Sequence, residues 1–313
     1  MEMQDPTDIF GENFNVSWTY SYSDISSADL LASWEFVIYV IGIVFGSVAF
    51  LGNVFTVIIA LAMEEIRGKF SNYQIISLAM KDAIIGGITV YSYVILLIRQ
   101  WQKIYSSNLG IIASMLLTSS SLTIIMIATE RCFAIIAPFQ HSRYVTKKRL
   151  TIIIVIDWFV TISLAIIFPI TNMDNGIWVV RDCVMLCAPV LTFIVYLVII
   201  LAVRRHETKI KQLANNIFQR KKRNQNVQMI KTFTLVAGIF IICYIPYGVF
   251  VLQYYLSPFS LGLLMAGRIF ATLIPLNSAA NMFIYWWRIP EFRMAYMRVL
   301  CCHKNMGSTL KGV

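Results

Sequence analysis

Seven stretches of this chain stay apolar for roughly 20 residues or more, the length that carries an α-helix across the hydrocarbon core of a bilayer. They begin near Trp34, Ser71, Ile104, Arg149, Ile177, Gln228 and Leu261 and end near Ala62, Ile98, Ala137, Ile170, Val203, Tyr255 and Trp287. With 58% hydrophobic residues, 13% charged residues and a mean hydropathy of +0.70, such a chain cannot cover a surface facing water on all sides. Repeats, low-complexity tracts and a second soluble domain are missing, and the joining segments are mostly short or polar. The expected fold is all-α: an N-terminal tail over residues 1–33, a seven-transmembrane helix bundle over 34–287, and a cytoplasmic amphipathic helix and tail over 288–313.

Charge sets the expected orientation. No Lys or Arg precedes Arg67, and the basic residues fall after the first, third, fifth and seventh runs: Arg67 and Lys69; Arg143, Lys147, Lys148 and Arg149; Arg204 to Lys231; Arg288 to Lys304. By the positive-inside rule these segments are cytoplasmic, which puts the N-terminus outside the plasma membrane and the C-terminus inside. The net charge of +10 then reads as topology and attraction to anionic lipid. The run RKKRNQ lies between two spans, so no nucleic-acid partner is expected. Residues 1–30 lack a basic start and an apolar core, so the first run is expected to target the chain. Asn15 opens a glycosylation sequon on the expected outer side.

The last run holds NSAANMFIY, and Asn277, Ser278, Asn281 and Tyr285 share one helical face. Polar groups in hydrocarbon need partners, so that face must look at something polar. A retinal-binding pump is excluded, because residues 261–287 contain no lysine for a Schiff base.

The ordered set of Asn53 in LGNV, Asp82 in SLAMKD, ATERCFAI, Trp158, Pro189, CYIP at 243–246 and NSAANMFIY resembles the rhodopsin-like (class A) G-protein-coupled receptors. The resemblance runs from about Trp34 to Cys302. It implies a receptor that binds an extracellular small-molecule, lipid or peptide ligand and activates heterotrimeric G proteins. Glu130 and Arg131 match the family's acidic-Arg pair, the arginine meeting the G protein. Asp82, Ser120, Asn277, Ser278 and Asn281 match positions that enclose a sodium ion. A hydrogen-bonded network of waters, or a protonated Asp82, is the other reading of those five residues. Tyr244 and Pro246 match the kink of the sixth helix, with Tyr244 in place of the usual tryptophan, and Tyr285 completes the switch of the seventh. Cys301 and Cys302 follow an amphipathic segment and are palmitoylation candidates.

Departures from the family narrow the ligand. Ala113 stands where amine receptors carry an aspartate, so a biogenic amine is not expected. Ser106 replaces the usual disulfide cysteine, and the loop at about Thr171 to Asp182 is short, a weak resemblance to the melanocortin, adenosine and cannabinoid branch. The pocket is expected among Ile112, Ala113, Leu116, Trp178, Tyr247, Val251, Tyr254 and Arg268, lined mostly by apolar and aromatic side chains, with an acid for Arg268. Asn226 stands where an acid often restrains Arg131, which implies basal activity. Met282 replaces a helix-bending proline, so the seventh helix is expected to be straighter. Lys81 and Asp157 are unusual intramembrane charges; they can pair, or Lys81 can reach Asp82 or water. The alternative class is a transporter or channel using the polar cluster for conduction, separable by vesicle flux. No nucleophile-base pair, metal cluster or phosphate loop marks an enzyme.

Overall fold

The computed structural model describes residues 25–70, 72–99, 107–171, 183, 186–201, 217–256 and 260–300. Within these it describes only the backbone of 25–33, of 217–233 and of single positions including Arg131 and Tyr254. All regular structure among the described residues is helical: α1 Ile25–Ala62, α2 Glu64–Arg67, α3 Asn72–Arg99, α4 Ser107–Ile136, α5 Pro138–Tyr144, α6 Lys147–Thr171, α7 Leu186–Leu201, α8 Ile217–Leu256, α9 Leu261–Ala271, α10 Leu273–Arg288 and α11 Pro290–Leu300.

Among the described residues six spans are long and apolar enough to cross a membrane: Trp34–Ala62, Asn72–Ile98, Leu109–Glu130, Lys147–Ile167, Thr234–Gln253 and Met265–Arg288. The seventh is the shorter apolar α7. Helix and span differ where good helix formers continue past the apolar run. Thus α1 starts at Ile25, through Ala28, Leu30, Leu31 and Ala32, although its apolar stretch opens at Trp34. Likewise α8 starts at Ile217 rather than near Gln228. The expected seventh helix is divided at Thr272, whose N–H bonds Ile269 O at 3.1 Å. Pro275, three residues on, has no N–H to donate to Ala271, and this accounts for the interruption. At Met282 α10 runs on without a break.

Side chains facing outward are apolar: Phe159, Ile170 and Ile242 are each at least 70% exposed, a surface that only lipid or protein can cover. Inside, α3 packs along α1, α4 and α10; α4 meets α6 and α8; and α10 lies between α1 and α8. Glycine sets the closest approach. A Cβ on Gly86 would lie 2.5 Å from Phe50 N, so only glycine lets α3 press so near α1.

The short helices α2 and α11 meet at the end of the bundle where α1 finishes. Phe292, Ala295 and Tyr296 bury the apolar side of α11, and the Tyr296 hydroxyl bonds Thr56 Oγ1 of α1. Arg298 Nη1 donates to Glu65 Oε1 at 2.8 Å, and Lys69 pairs with Glu291, so α11 is clamped onto α2 and the loop after it.

Candidate functional site

Asp82 sits at the middle of α3 with 1% of its surface exposed. Two donors from α10 hold it: Ser278 Oγ to Oδ1 at 2.9 Å and Asn281 Nδ2 to Oδ2 at 2.8 Å. Asn53 of α1 joins them by donating to Ser278 O at 3.0 Å and to Ala49 O at 2.8 Å. Three helices thus meet at one carboxylate. The serine and asparagine stand three residues apart on α10, which puts both on the face turned to α3.

Around this core several buried oxygens have no hydrogen-bond partner among the described residues: Asn53 Oδ1, Ser120 Oγ, Asn277 Oδ1, Asn281 Oδ1 and the Tyr285 hydroxyl. Of the five residues matched to a sodium site, Asp82, Ser278 and Asn281 are joined directly. Ser120 and Asn277 are buried but not bonded to the carboxylate. Buried amide and hydroxyl oxygens together with a carboxylate are donors of the kind a small hard cation takes. No group of three His, Cys, Asp or Glu side chains that could hold a metal occurs among the described residues, so neutral oxygens would have to complete any shell.

Lys81, next in sequence, turns about 100° away on the helix and enters a different network. Its ammonium, with no exposed surface, pairs with Asp157 of α6, donates to Thr123 Oγ1 at 2.6 Å and reaches Ser119 O at 3.4 Å. Ser119 Oγ also donates to Asp157 Oδ1 at 2.9 Å, and the Trp158 ring lies 5.6 Å from the ammonium. Of the two arrangements open to Lys81, the structure takes the pairing with Asp157.

At the end of α4, the Glu130 carboxylate lies 2.8 Å from His141 Nε2, and the His141 ring stands edge-on to Phe133 with centroids 5.8 Å apart. Pro138 opens α5 and returns the chain so that His141 faces back onto α4. Arg131 is on the same helix, its side chain outside the described residues. Deeper in, Tyr244 is 2% exposed, bonds Ser121 of α4 through its hydroxyl, and lies against Phe240 with ring centroids 4.4 Å apart. Pro246 falls inside α8 two residues later, and Tyr285 is fully buried with its ring 6.1 Å from Phe292.

Residues 52–183 and 172–285 match the sequence model of the family described as 7 transmembrane receptor (rhodopsin family). The chain belongs to that family. Among curated proteins it is similar to lysophosphatidic acid receptor 1 of Homo sapiens, 24% identical over 208 residues, 62% of this chain and 56% of the relative. Lysophosphatidic acid receptor 2 of Homo sapiens is 26% identical over 216 residues, 63% of this chain and 60% of the relative. Lysophosphatidic acid receptor 1-B of Xenopus laevis is 23% identical over 202 residues, 60% of this chain and 55% of the relative. This chain thus spans little more than half the length of those relatives. The family is one of multi-pass membrane receptors rather than enzymes, and nothing in the match favours a transporter.

In this rhodopsin-family chain, Tyr247 and Val251 join Phe250 and Leu263 in the apolar core, while Ile112, Ala113 and Leu116 line α4, Leu116 buried and the other two half-buried. Arg268, expected to meet an acid of the ligand, pairs with Glu35 of α1. Trp178, Asn15, Cys301 and Cys302, and the side chains of Tyr254 and Asn226, lie outside the described residues. Cys183, Cys187 and Cys243 are free. A cavity of about 330 Å³ lined by Leu61, Tyr73, Ile76, Met80, Ile154 and Trp158 lies between α1, α3 and α6, away from these positions. Sequence reasoning missed Glu35, Ser121, Thr56 and His141. Only His141 carried a signal: a histidine one turn beyond Pro138, within reach of Glu130 once the chain reverses.

Proposed function

We propose that this protein is a plasma-membrane receptor that couples an extracellular anionic amphiphile to heterotrimeric G proteins. The observation that carries the reading is the family match over residues 52–183 and 172–285. The relatives' name supplies the ligand class, and the apolar lining at Leu116, Val251 and Tyr247 with the cation of Arg268 beyond it agrees with a lipid tail and an acidic head. The basic segments support an N-terminus outside and a C-terminus inside.

The steps follow from the helices themselves. Ligand binding favours one of two bundle states by its differential affinity for them. Pro246 deprives α8 of one backbone hydrogen bond and gives a pivot, so a shift near Val251 swings the opposite end of the helix away from α4. Arg131, at the end of α4, then lines the cleft that receives the G protein.

A sodium ion is the proposed cofactor in the middle of the bundle. Lys81 is committed to Asp157, so of the three charges Lys81, Asp82 and Asp157 one negative charge is left over, and a monovalent cation at Asp82 neutralises it. Asp82, Ser120, Asn277, Ser278 and Asn281 would hold it. Asn53 Oδ1 and the Tyr285 hydroxyl are additional oxygens without partners among the described residues.

The test of the ligand class is nucleotide exchange in receptor membranes given lysophosphatidic acid, a neutral monoacylglycerol or a mixed peptide pool. Stimulation by the anionic lipid alone supports the reading. Stimulation by the neutral lipid or the peptides alone contradicts it.

A further inference from the structure

The Arg268 guanidinium of α9 and the Glu35 carboxylate of α1 form an ion pair joining residues 233 apart in sequence, with side chains 19% and 15% exposed. The second carboxylate oxygen, Glu35 Oε2, accepts a hydrogen bond from the Tyr39 hydroxyl at 3.4 Å. Tyr39 in turn lies against Tyr93 of α3, with ring centroids 5.9 Å apart. The acid is thus held by both α1 and α9, near the end of the bundle at which α1 enters.

We propose that Glu35 is a built-in competitor for the ligand's anionic headgroup: it occupies Arg268 until that headgroup displaces it. This deepens the proposed function and rests on its reading of the ligand as an anionic amphiphile.

A guanidinium at this depth needs an anion at all times, and Glu35 supplies it when no ligand is bound. A phosphate or carboxylate added beside Glu35 would leave excess negative charge in low dielectric, so exchange is favoured over addition. Glu35 has somewhere to go: it stands one residue after Trp34, which is 53% exposed at the start of the apolar span. A neutral lipid cannot replace the carboxylate and leaves the pair intact. Glu35 therefore sets headgroup specificity and reduces apparent affinity by the fraction of receptors in which the pair is open. Displacement also releases α1 from α9, which is how ligand binding would be felt on the far side of the pocket.

Labelled oleoyl lysophosphatidic acid and monooleoylglycerol are the probes, with wild type, Glu35→Gln and Arg268→Gln at matched surface expression. Removing the competitor should tighten the anionic lipid about tenfold and leave the neutral lipid unchanged, while Arg268→Gln should weaken the anionic lipid by a similar factor. If Glu35 merely orients Arg268, Glu35→Gln weakens the anionic lipid. If it merely braces α1, both lipids shift together. Either result overturns the proposal while the ligand class stands. Failure of the anionic lipid to bind either wild type or Glu35→Gln overturns the ligand class, and this proposal with it. Should Glu35→Gln not reach the surface, Glu35→Asp, one methylene shorter, should tighten the anionic lipid to a lesser extent, and unchanged binding there counts against the competitor role.

Discussion

Lys81 and Asp82 are neighbours on α3 that serve opposite sides of the helix: the ammonium pairs with Asp157 of α6, and the carboxylate accepts from Ser278 and Asn281 of α10. Two opposite charges side by side do not form a direct pair here, because a helix turns them about 100° apart. The bundle therefore carries a closed ion pair on one flank and, on the other, a buried carboxylate held by two donors of α10.

Breaking the Lys81–Asp157 pair from either side should be costly. Lys81→Met or Asp157→Asn alone leaves a buried charge without a partner, a loss of about 3–5 kcal/mol. The double variant removes both charges and should recover most of that loss. Thermal unfolding in detergent measures all three, and a double variant no better than the worse single one would contradict the pairing as the source of stability.

Sodium should stabilise the wild type more than choline at equal ionic strength, by about 2.7 kcal/mol when the ion is present at about 100 times its dissociation constant. Asp82→Asn should abolish the difference, because the leftover negative charge is gone. Equal melting temperatures in the two salts would leave the water-network reading of the same residues.

How much of this was legible in the sequence varies with distance along the chain. Apolar length gave the spans, and the spacing of Ser278 and Asn281 put both on the face that meets Asp82, since each signal lies within one helix. Which helices abut is a different kind of information. Nothing near Arg268 points to Glu35, and nothing near Tyr296 points to Thr56, because each pair is made only when α1 packs beside the last helices. Tyr244 was visible as a departure at the kink, but its bond to Ser121 depends on the spacing between α4 and α8. The division at Thr272 was legible in principle from Pro275, yet the apolar run continues across it and masked the signal.

Tyr244→Phe removes the hydroxyl that ties α8 to α4 through Ser121, while Ser121 keeps its own bond to Leu117 O at 2.9 Å. The cost to stability should be about 1 kcal/mol. Basal nucleotide exchange should rise, because the lost bond restrains the helix that pivots at Pro246. An unchanged basal rate with the expected loss of stability would make this bond purely structural.

The clamp on α11 should weaken in acid. The hydrogen bond from Arg298 lowers the Glu65 carboxyl below its ordinary value, so the folded state binds the proton less readily than the unfolded state. The pair's contribution is complete above the unfolded value, about 4.3, and is lost as pH falls through the lower folded value. The Glu65 side chain is 59% exposed and that of Arg298 33%, so the effect is small and screened by salt: roughly a twofold rise in amide exchange across α11, corrected for intrinsic rates. Arg298→Gln should show the faster exchange already at neutral pH.

The most direct test of the receptor account is guanine-nucleotide exchange on a panel of G proteins, with membranes carrying wild type or Arg131→Ala at matched surface expression. The account expects exchange without added ligand, since Asn226 offers Arg131 no acidic restraint, and expects it to disappear with the arginine. Wild type and Arg131→Ala giving the same exchange on every G protein would contradict it.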